Sequence, residues 1–433
     1  MSSLSGKTRL LFALMVPPAN IGRRTISFHF VYESADMRIR VPSRRKIRTL
    51  SFNTLLVLVS TIFGYLIVEF VFFRIFLANV KFDIRAHLPE TAEVLVQNSK
   101  ADFVPRNYIA LLGDSYAEGV GDWLLNNRGN EALPFSPADV LHSLTGRDVA
   151  SFGRGGSSSA EGLVRQPARI LAGSQCLIFP TLSEPEQILA FFYAGNDIQD
   201  NLRFLGKVRG RYGNNDTASV DKYLAEQYAN LPFFQCHLYL GDTIGRMARF
   251  AYEYRNFKPS DLTPRGNGEN KLIVAGKEIA APSPLAASAM EIDDRGIYAG
   301  MMVFDRSLAW LRRRFAKSPI TVVYIPSALA IYHKSGSTVI YRIEPEEANL
   351  SGTATPEAID RRSDWICTLV RDVARKHGTG FLDARPALRA IAAEKLIHGP
   401  VDWDHLNELG YRTLAGFLAS KLNDPSAVEI CQY

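Results

Sequence analysis

Cysteine is scarce in this sequence: there are four in 433 residues (Cys176, Cys236, Cys367 and Cys431), with no Cys-x-x-Cys pair and no Cys/His cluster. That excludes a zinc ribbon and a disulfide-built miniprotein. Four cysteines allow three pairings, and four separate buried thiols are the alternative to two bridges. Internal repeats and low-complexity tracts are also missing, which removes solenoid and collagen-like readings. A basic excess is absent from the bulk of the chain. The formal charge is +6, but residues 1–48 carry ten Lys and Arg against two acidic residues, a local +8, which leaves −2 over the other 385. The body therefore has no electrostatic footprint for nucleic acid, and none is expected as a partner.

One stretch lacks charge altogether. From Leu50 to Val68 no ionisable Asp, Glu, Lys or Arg occurs, and after Glu69 the apolar run resumes up to Arg74. About 20 apolar residues rise ~30 Å as a helix, enough to cross a bilayer core. The polar stripe of a buried soluble helix is missing. The run exceeds the ~7–15 apolar residues of a cleaved signal peptide, and Phe76-Leu77-Ala78-Asn79 is a poor cleavage site. A transmembrane signal-anchor helix is expected over residues 50–76. The block Arg44-Arg45-Lys46-Ile47-Arg48 precedes it, so the positive-inside bias places the basic tail, 1–48, in the cytoplasm and the rest in the periplasm, as a single-pass inner-membrane protein. Met37 is an alternative start that would drop residues 1–36.

After a linker at 78–106, short apolar runs alternate with helical patterns, the signature of an α/β domain with a largely parallel sheet. Strands are expected at Tyr108–Leu112, Asp148–Phe152, Ile188–Tyr193, Ile320–Ile325 and Gly380–Asp383. Ile297, Met301, Phe304, Leu308, Leu311 and Phe315 recur at steps of four and three, one apolar helix face. The domain is expected over 107–424, with an insertion at 206–294 that includes a hairpin at Lys271–Ile279, and a tail at 425–433.

Four short segments carry the chemistry. Gly113-Asp114-Ser115 follows the first strand, Gly153-Arg154-Gly155-Gly156 the second and Gly195-Asn196-Asp197 the third, while Asp402-Trp403-Asp404-His405 lies near the C-terminus. Open α/β sheets bind ligands at the C-terminal ends of their strands, where three of the four fall. A serine hydroxyl needs a base to take its proton, and that base needs a partner to fix its tautomer. Asp402 and His405, three apart in one tight turn, can face the same side.

In order and spacing this set resembles the SGNH hydrolases, the GDSL-like esterase and lipase superfamily, over roughly residues 107–424. The resemblance implies a three-layer α/β/α, flavodoxin-like domain with a mostly parallel sheet, here behind one transmembrane helix. It implies Ser115 as nucleophile, His405 as general base and Asp402 as its orienting partner. The N–H groups of Ser115 and Gly156 and the side-chain amide of Asn196 would form the oxyanion hole, with no cofactor and no metal. Ala194 and Ser151 stand where the family commonly has glycine and asparagine.

The expected activity is hydrolysis of ester groups, O-acetyl foremost, on an envelope carbohydrate through an acyl-enzyme. Two rivals are an O-acetyltransferase acting on a cell-envelope polysaccharide and a non-catalytic polysaccharide-binding or assembly factor. The insertion sets Arg209, Arg211, Lys222, Arg246, Arg249 and Arg255 beside Tyr212, Tyr223, Tyr228, Tyr239, Tyr252 and Tyr254. Such a mixture is a solvated surface by default and a groove for an anionic glycan as the alternative.

Overall fold

The computed structural model describes residues 44–71, 90–121, 136–173, 181–229, 241, 244–245, 248–249, 252, 268–343, 350–422 and 431. The expected tail up to residue 43, residues 72–89, Cys176 and Cys236 lie outside them. The uncharged run forms part of one helix, α1 (Arg44–Val71). Its segment Ser51–Glu69, with mean hydropathy 1.9, is long and apolar enough to cross a membrane, and its side chains from Phe52 to Phe63 are exposed. A signal sequence has the same character.

In the α/β domain, a short helix α2 (Glu90–Leu95) precedes β1 (Ile109–Leu112), α3 (Ser115–Glu118), α4 (Pro137–Thr145) and β2 (Val149–Ser151). Next come α5 (Gln166–Gly173), β3 (Gln187–Tyr193), α6 (Asp197–Tyr212) and α7 (Thr217–Ala229). A hairpin, β4 (Asn270–Val274) and β5 (Lys277–Ala281), leads to α8 (Asp294–Arg314), β6 (Ile320–Ile325), α9 (Ala328–Ile331) and β7 (His333–Lys334). A second hairpin, β8 (Val339–Ile343) and β9 (Leu350–Ala354), is followed by α10 (Pro356–Lys376), β10 (Gly380–Asp383), α11 (Arg385–Ala392) and α12 (Glu408–Lys421).

The five strands expected from the sequence form one sheet in the order β10-β6-β3-β1-β2, every pair parallel. Two-residue periodicity sends alternate side chains to opposite faces. Ala110, Leu112, Ala190, Phe192, Val322 and Tyr324 pack under α6, α8 and α10. Ile109, Leu111, Leu189, Phe191, Val323 and Ile325 pack under α4, α11 and α12. The result is the three-layer α/β/α arrangement, with a strand order of flavodoxin type. The helix with the four-and-three apolar pattern is α8, capped by Asp293, whose side chain accepts from the Gly296 N–H; its whole apolar stripe is buried.

Three expected boundaries need correction. Residues 90–106, read as linker, belong to the domain. The strand β2 lies at the sheet edge, where unpaired main-chain groups need partners. Gln97 supplies both, donating to Ser151 O at 2.7 Å and accepting from Ser151 N at 2.8 Å, and Ser99 Oγ donates to Val149 O at 2.7 Å. The insertion does not begin at 206, because α6 runs on to Tyr212 and stops at Gly213 with φ +79°. Nor does it run on to 294 as an excursion from the domain, since Leu285, Ala286, Ala287 and Ala289 are buried core. The hairpin is present, turning through Ala275 and Gly276 at φ +50° and +73°.

The C-terminal tail is tied back: Cys431 is buried and joined to Cys367 of α10 by a disulfide. For this pair the alternative of separate thiols falls away. Cys367, Asp383 and Cys431 are the one group of metal-type donors among the described residues, and sulfurs joined to each other are not thiolate ligands.

Beside that disulfide, Arg385 is wholly buried. Its Nη2 donates to Asp383 Oδ2 at 2.7 Å, its Nε to Asp383 Oδ1 at 3.0 Å and its Nη1 to Asp364 Oδ1 at 2.5 Å. Removing the cation strands a buried carboxylate. Arg385→Leu is expected to cost about 3–5 kcal/mol of stability, read as a lower denaturant midpoint with unchanged slope; an unchanged midpoint would refute this account.

Candidate active site

The strand β1 ends at Gly113, and the chain turns at once into α3. Asp114 caps that helix by accepting the Tyr116 N–H at 3.0 Å, so Ser115 is its first residue, buried at 5% exposure. His405 comes from the loop ahead of α12. Its Nε2 lies 2.8 Å from Ser115 Oγ and its Nδ1 lies 2.7 Å from Asp402 Oδ2. The other Asp402 oxygen accepts the N–H groups of Asp404 at 2.9 Å and His405 at 3.2 Å. One oxygen thus shapes the turn and the other holds the ring. A carboxylate at Nδ1 sets the tautomer with the proton on Nδ1, which leaves Nε2 free to accept the serine proton.

The turn is held from below by two tyrosines. Tyr116 and Tyr193 stack with ring centroids 4.0 Å apart, and their hydroxyls donate to Asp404 O at 2.8 and 3.3 Å. The Asp404 side chain accepts from Arg342 Nη1 of β8 at 2.8 Å.

These groups open into a cleft of about 320 Å³, lined by Ser115, Val120, Gly155, Gly156, Tyr193, Asn196, Asp200, Arg203, Arg342, Asp404 and His405. It sits at the ends of β1 and β3, where the winding of the sheet reverses and ligands of such sheets bind. Gly153 allows the loop after β2 to reach it: a Cβ there would strike the main chain of Ala117 and Glu118. Gly155 N–H donates to Glu118 Oε2 at 2.6 Å, and Gly156 takes φ +68°, a conformation favouring glycine. Asn196, at the start of α6, has its Oδ1 buried with no hydrogen-bond partner.

The fields in the site oppose one another. Burial alone would depress His405, but the bond and charge of Asp402, with Asp404 and Asp114 behind, outweigh it and raise the imidazole above its ordinary value. Burial pushes Asp402 up, and the His405 bond and charge outweigh that, so its carboxyl sits below the usual range. Burial, reinforced by Asp114, drives Asp197 well above the usual carboxylate value. The nearby His398 is a different case. Fully buried, it is pushed down to about 4 by desolvation. The Tyr332 hydroxyl accepts from the N–H groups of Ile397 and His398 and meets His398 Nδ1 at 3.1 Å. It is neutral and does not line the cleft.

Ser115, His405 and Asp402 therefore form one hydrogen-bonded chain, and Gly156 and Asn196 border the same cleft. Arg203, Asp200 and Arg342 line it too, and sequence reasoning passed over them. The β-branched run Val339-Ile340-Tyr341-Arg342-Ile343 signals a strand, though not that its arginine reaches the site. Among the described residues of the expected insertion, Arg209, Arg211, Tyr212, Lys222 and Tyr223 do not line the cleft. Arg211 lies 5.7 Å from the ring centroid of Tyr212 and 5.8 Å from that of Tyr223, and Lys222 4.8 Å from that of Tyr212. They make a surface cluster on α6 and α7. Arg246, Tyr239, Tyr254 and Arg255 lie outside the described residues.

No family model matches the sequence, and no curated protein matches it. Among solved structures, an extracellular lipase from Streptomyces rimosus aligns with 72% of this chain and 98% of its own at 16% identity and a TM-score of 0.34. A carbohydrate acetylesterase family member from Sinorhizobium meliloti aligns with 74% and 99% at 14% identity and 0.31. An acetyl xylan esterase from Butyrivibrio proteoclasticus aligns with 74% and 64% at 10% identity and 0.30. Likeness this distant adds nothing to what the geometry of the site says.

Proposed function

We propose that this chain is a serine esterase of SGNH type that removes short acyl groups, O-acetyl foremost, from a carbohydrate of the cell envelope. One observation carries the reading: Ser115 Oγ, both ring nitrogens of His405 and an oxygen of Asp402 lie in a continuous hydrogen-bonded line, at 2.8 and 2.7 Å, at the mouth of a cleft. Ser115 Oγ attacks the acyl carbonyl carbon while its proton passes to His405 Nε2. The negative charge that develops on the carbonyl oxygen meets the N–H groups of Ser115 and Gly156 and the Asn196 amide, and a single such donor is worth about 10²–10³ in rate. His405 then protonates the departing sugar oxygen, and water, activated by the same nitrogen, releases the acid from the acyl-enzyme.

The cleft favours a polar acceptor and a small acyl group. Its lining is rich in Arg203, Asp200, Arg342, Asp404 and Asn196, while Val120 and Tyr193 are its apolar side chains of any size. Among the described lining residues, a long acyl chain finds only those two large apolar side chains. The helix α1, with the basic block at its start, supports an inner-membrane anchor that leaves the catalytic domain in the periplasm. The test is labelling of the full-length chain by a fluorophosphonate, followed by acetate release from acetylated glycans. Labelling at Ser115 with cleavage of long-chain esters alone would discard the carbohydrate reading.

A pH dependence follows from the histidine. Catalysis needs neutral His405, whose value is raised above 6.5, so kcat/KM is expected to fall as pH drops through a midpoint above 6.5. Asp404→Asn removes one of the charges that raise it, which favours the neutral ring. The acid limb should move to lower pH in that variant, and an unmoved or upward-shifted limb contradicts the assignment of His405 as base.

A further inference from the structure

A second depression, about 330 Å³, opens between the first turns of α8 and α10, lined by Met290, Asp294, Ala358, Arg361, Arg362 and Trp365. The Arg362 guanidinium lies over the Trp365 ring, 5.1 Å from its centroid, and reaches Asp294 at 3.4 Å. The ring of Tyr298 meets Trp365 edge-on at 5.9 Å. Arg361 is exposed and makes no hydrogen bond or ion pair among the described residues; Glu357, one turn back, is a carboxylate that feels its field. A half-buried indole, a guanidinium resting on it and a second, uncommitted guanidinium thus meet a single lining carboxylate.

The depression shares an end of the sheet with Ser115. Each of α8 and α10 leads into a parallel strand, β6 and β10, so both helices begin at the C-terminal side of the sheet. Chain neighbours of residues at the two sites lie close together. Gln199, next to the cleft residue Asp200, donates to Glu291, next to Met290, at 2.6 Å. Tyr341, next to the cleft residue Arg342, lies in the fields of Glu291 and Arg362.

Resting on the esterase reading, we propose that this depression is a subsite for a carboxylate-bearing sugar unit further along the same polymer whose ester is held at Ser115. The half-buried indole, with Arg362 resting on it, adds apolar surface to the depression against which a sugar ring can pack. The planar guanidinium groups offer paired N–H donors that match a carboxylate and not a hydroxyl. A polymer with a uronic-acid type of unit would engage both sites at once, and a neutral chain would engage the cleft alone.

The test uses the full-length Ser115→Ala chain in detergent, which binds without turnover, titrated with oligogalacturonate and with a neutral xylo-oligosaccharide of equal length. The acidic oligomer is expected to bind about tenfold or more tighter, with the advantage shrinking as salt is raised. Arg361→Gln, an exposed change that leaves the core alone, should erase most of that advantage, and Trp365→Phe should weaken both the advantage and the absolute affinity. Equal binding of the two oligomers, or an acidic preference untouched by Arg361→Gln, overturns the subsite. Fluorophosphonate labelling of the unmutated chain separates the two claims. Labelling without an acidic preference leaves the esterase and removes the subsite, whereas an Arg361-dependent preference without labelling removes the esterase and keeps an acidic-glycan site.

Discussion

Ser115→Ala is expected to lower ester hydrolysis by about 10⁵–10⁶-fold and to abolish fluorophosphonate labelling, while the thermal midpoint stays within a few degrees of the parent. The size follows from the loss of the covalent route, since groups that act as one unit remove nearly the whole rate when any essential one goes. The fold tolerates the change because Ser115 opens α3 with its hydroxyl turned to His405 and 3.4 Å from Asp114, so alanine leaves no buried donor unmatched and adds no atom. Hydrolysis rates and a melting curve on the same preparation check both halves. Residual activity above a hundredth of the parent would mean that the acyl group never rests on Ser115.

Asp402→Asn is expected to cost about 10⁴ in kcat with the loop still in place. Asparagine keeps one oxygen, and that oxygen goes on accepting the N–H groups of Asp404 and His405, as Asp402 Oδ1 does at 2.9 and 3.2 Å. Its amide nitrogen then faces His405 Nδ1, where a donor now stands in place of an acceptor. The ring proton moves to Nε2, toward Ser115, and the base disappears while the scaffold remains. Activity should recover little at high pH, and adding Asp402→Asn to Ser115→Ala should cause almost no further loss. A drop below tenfold for the single variant would separate Asp402 from the catalytic unit.

How much of this was legible in the sequence depends on how local each cause is. The five central strands were readable because each is a short apolar run closed by its own turn residue, and a parallel sheet buries both faces. The groups meeting in the cleft were readable because Ser115 and Asn196 follow strand ends directly, and because Asp402 and His405 share one turn. Residues 90–106 misled because Gln97 and Ser99 look like solvated linker until they are set against the edge of β2, some 50 positions away. Arg342 stayed hidden for the same reason: its partner, Asp404, is 62 positions further on. Tyr116 and Tyr193 border the motifs in sequence, yet nothing local says that both hydroxyls converge on one carbonyl, that of Asp404. The start of the insertion was set too early because the turn residues Gly210, Gly213, Asn214 and Asn215 cluster there, while the apolar face of α6 carries the helix past Gly210 to Tyr212.

The hydrogen bond between Ser115 and His405 spans 290 positions. At typical synthesis rates of about 5–20 residues per second, roughly 15–60 s separate the appearance of the hydroxyl from that of the imidazole. If Ser115 and His405 act as proposed, a nascent chain therefore carries the nucleophile without its base while most of its body is made. A product truncated ahead of His405 would hold the hydroxyl without the imidazole, and on the proposed reading it is expected to lack esterase activity.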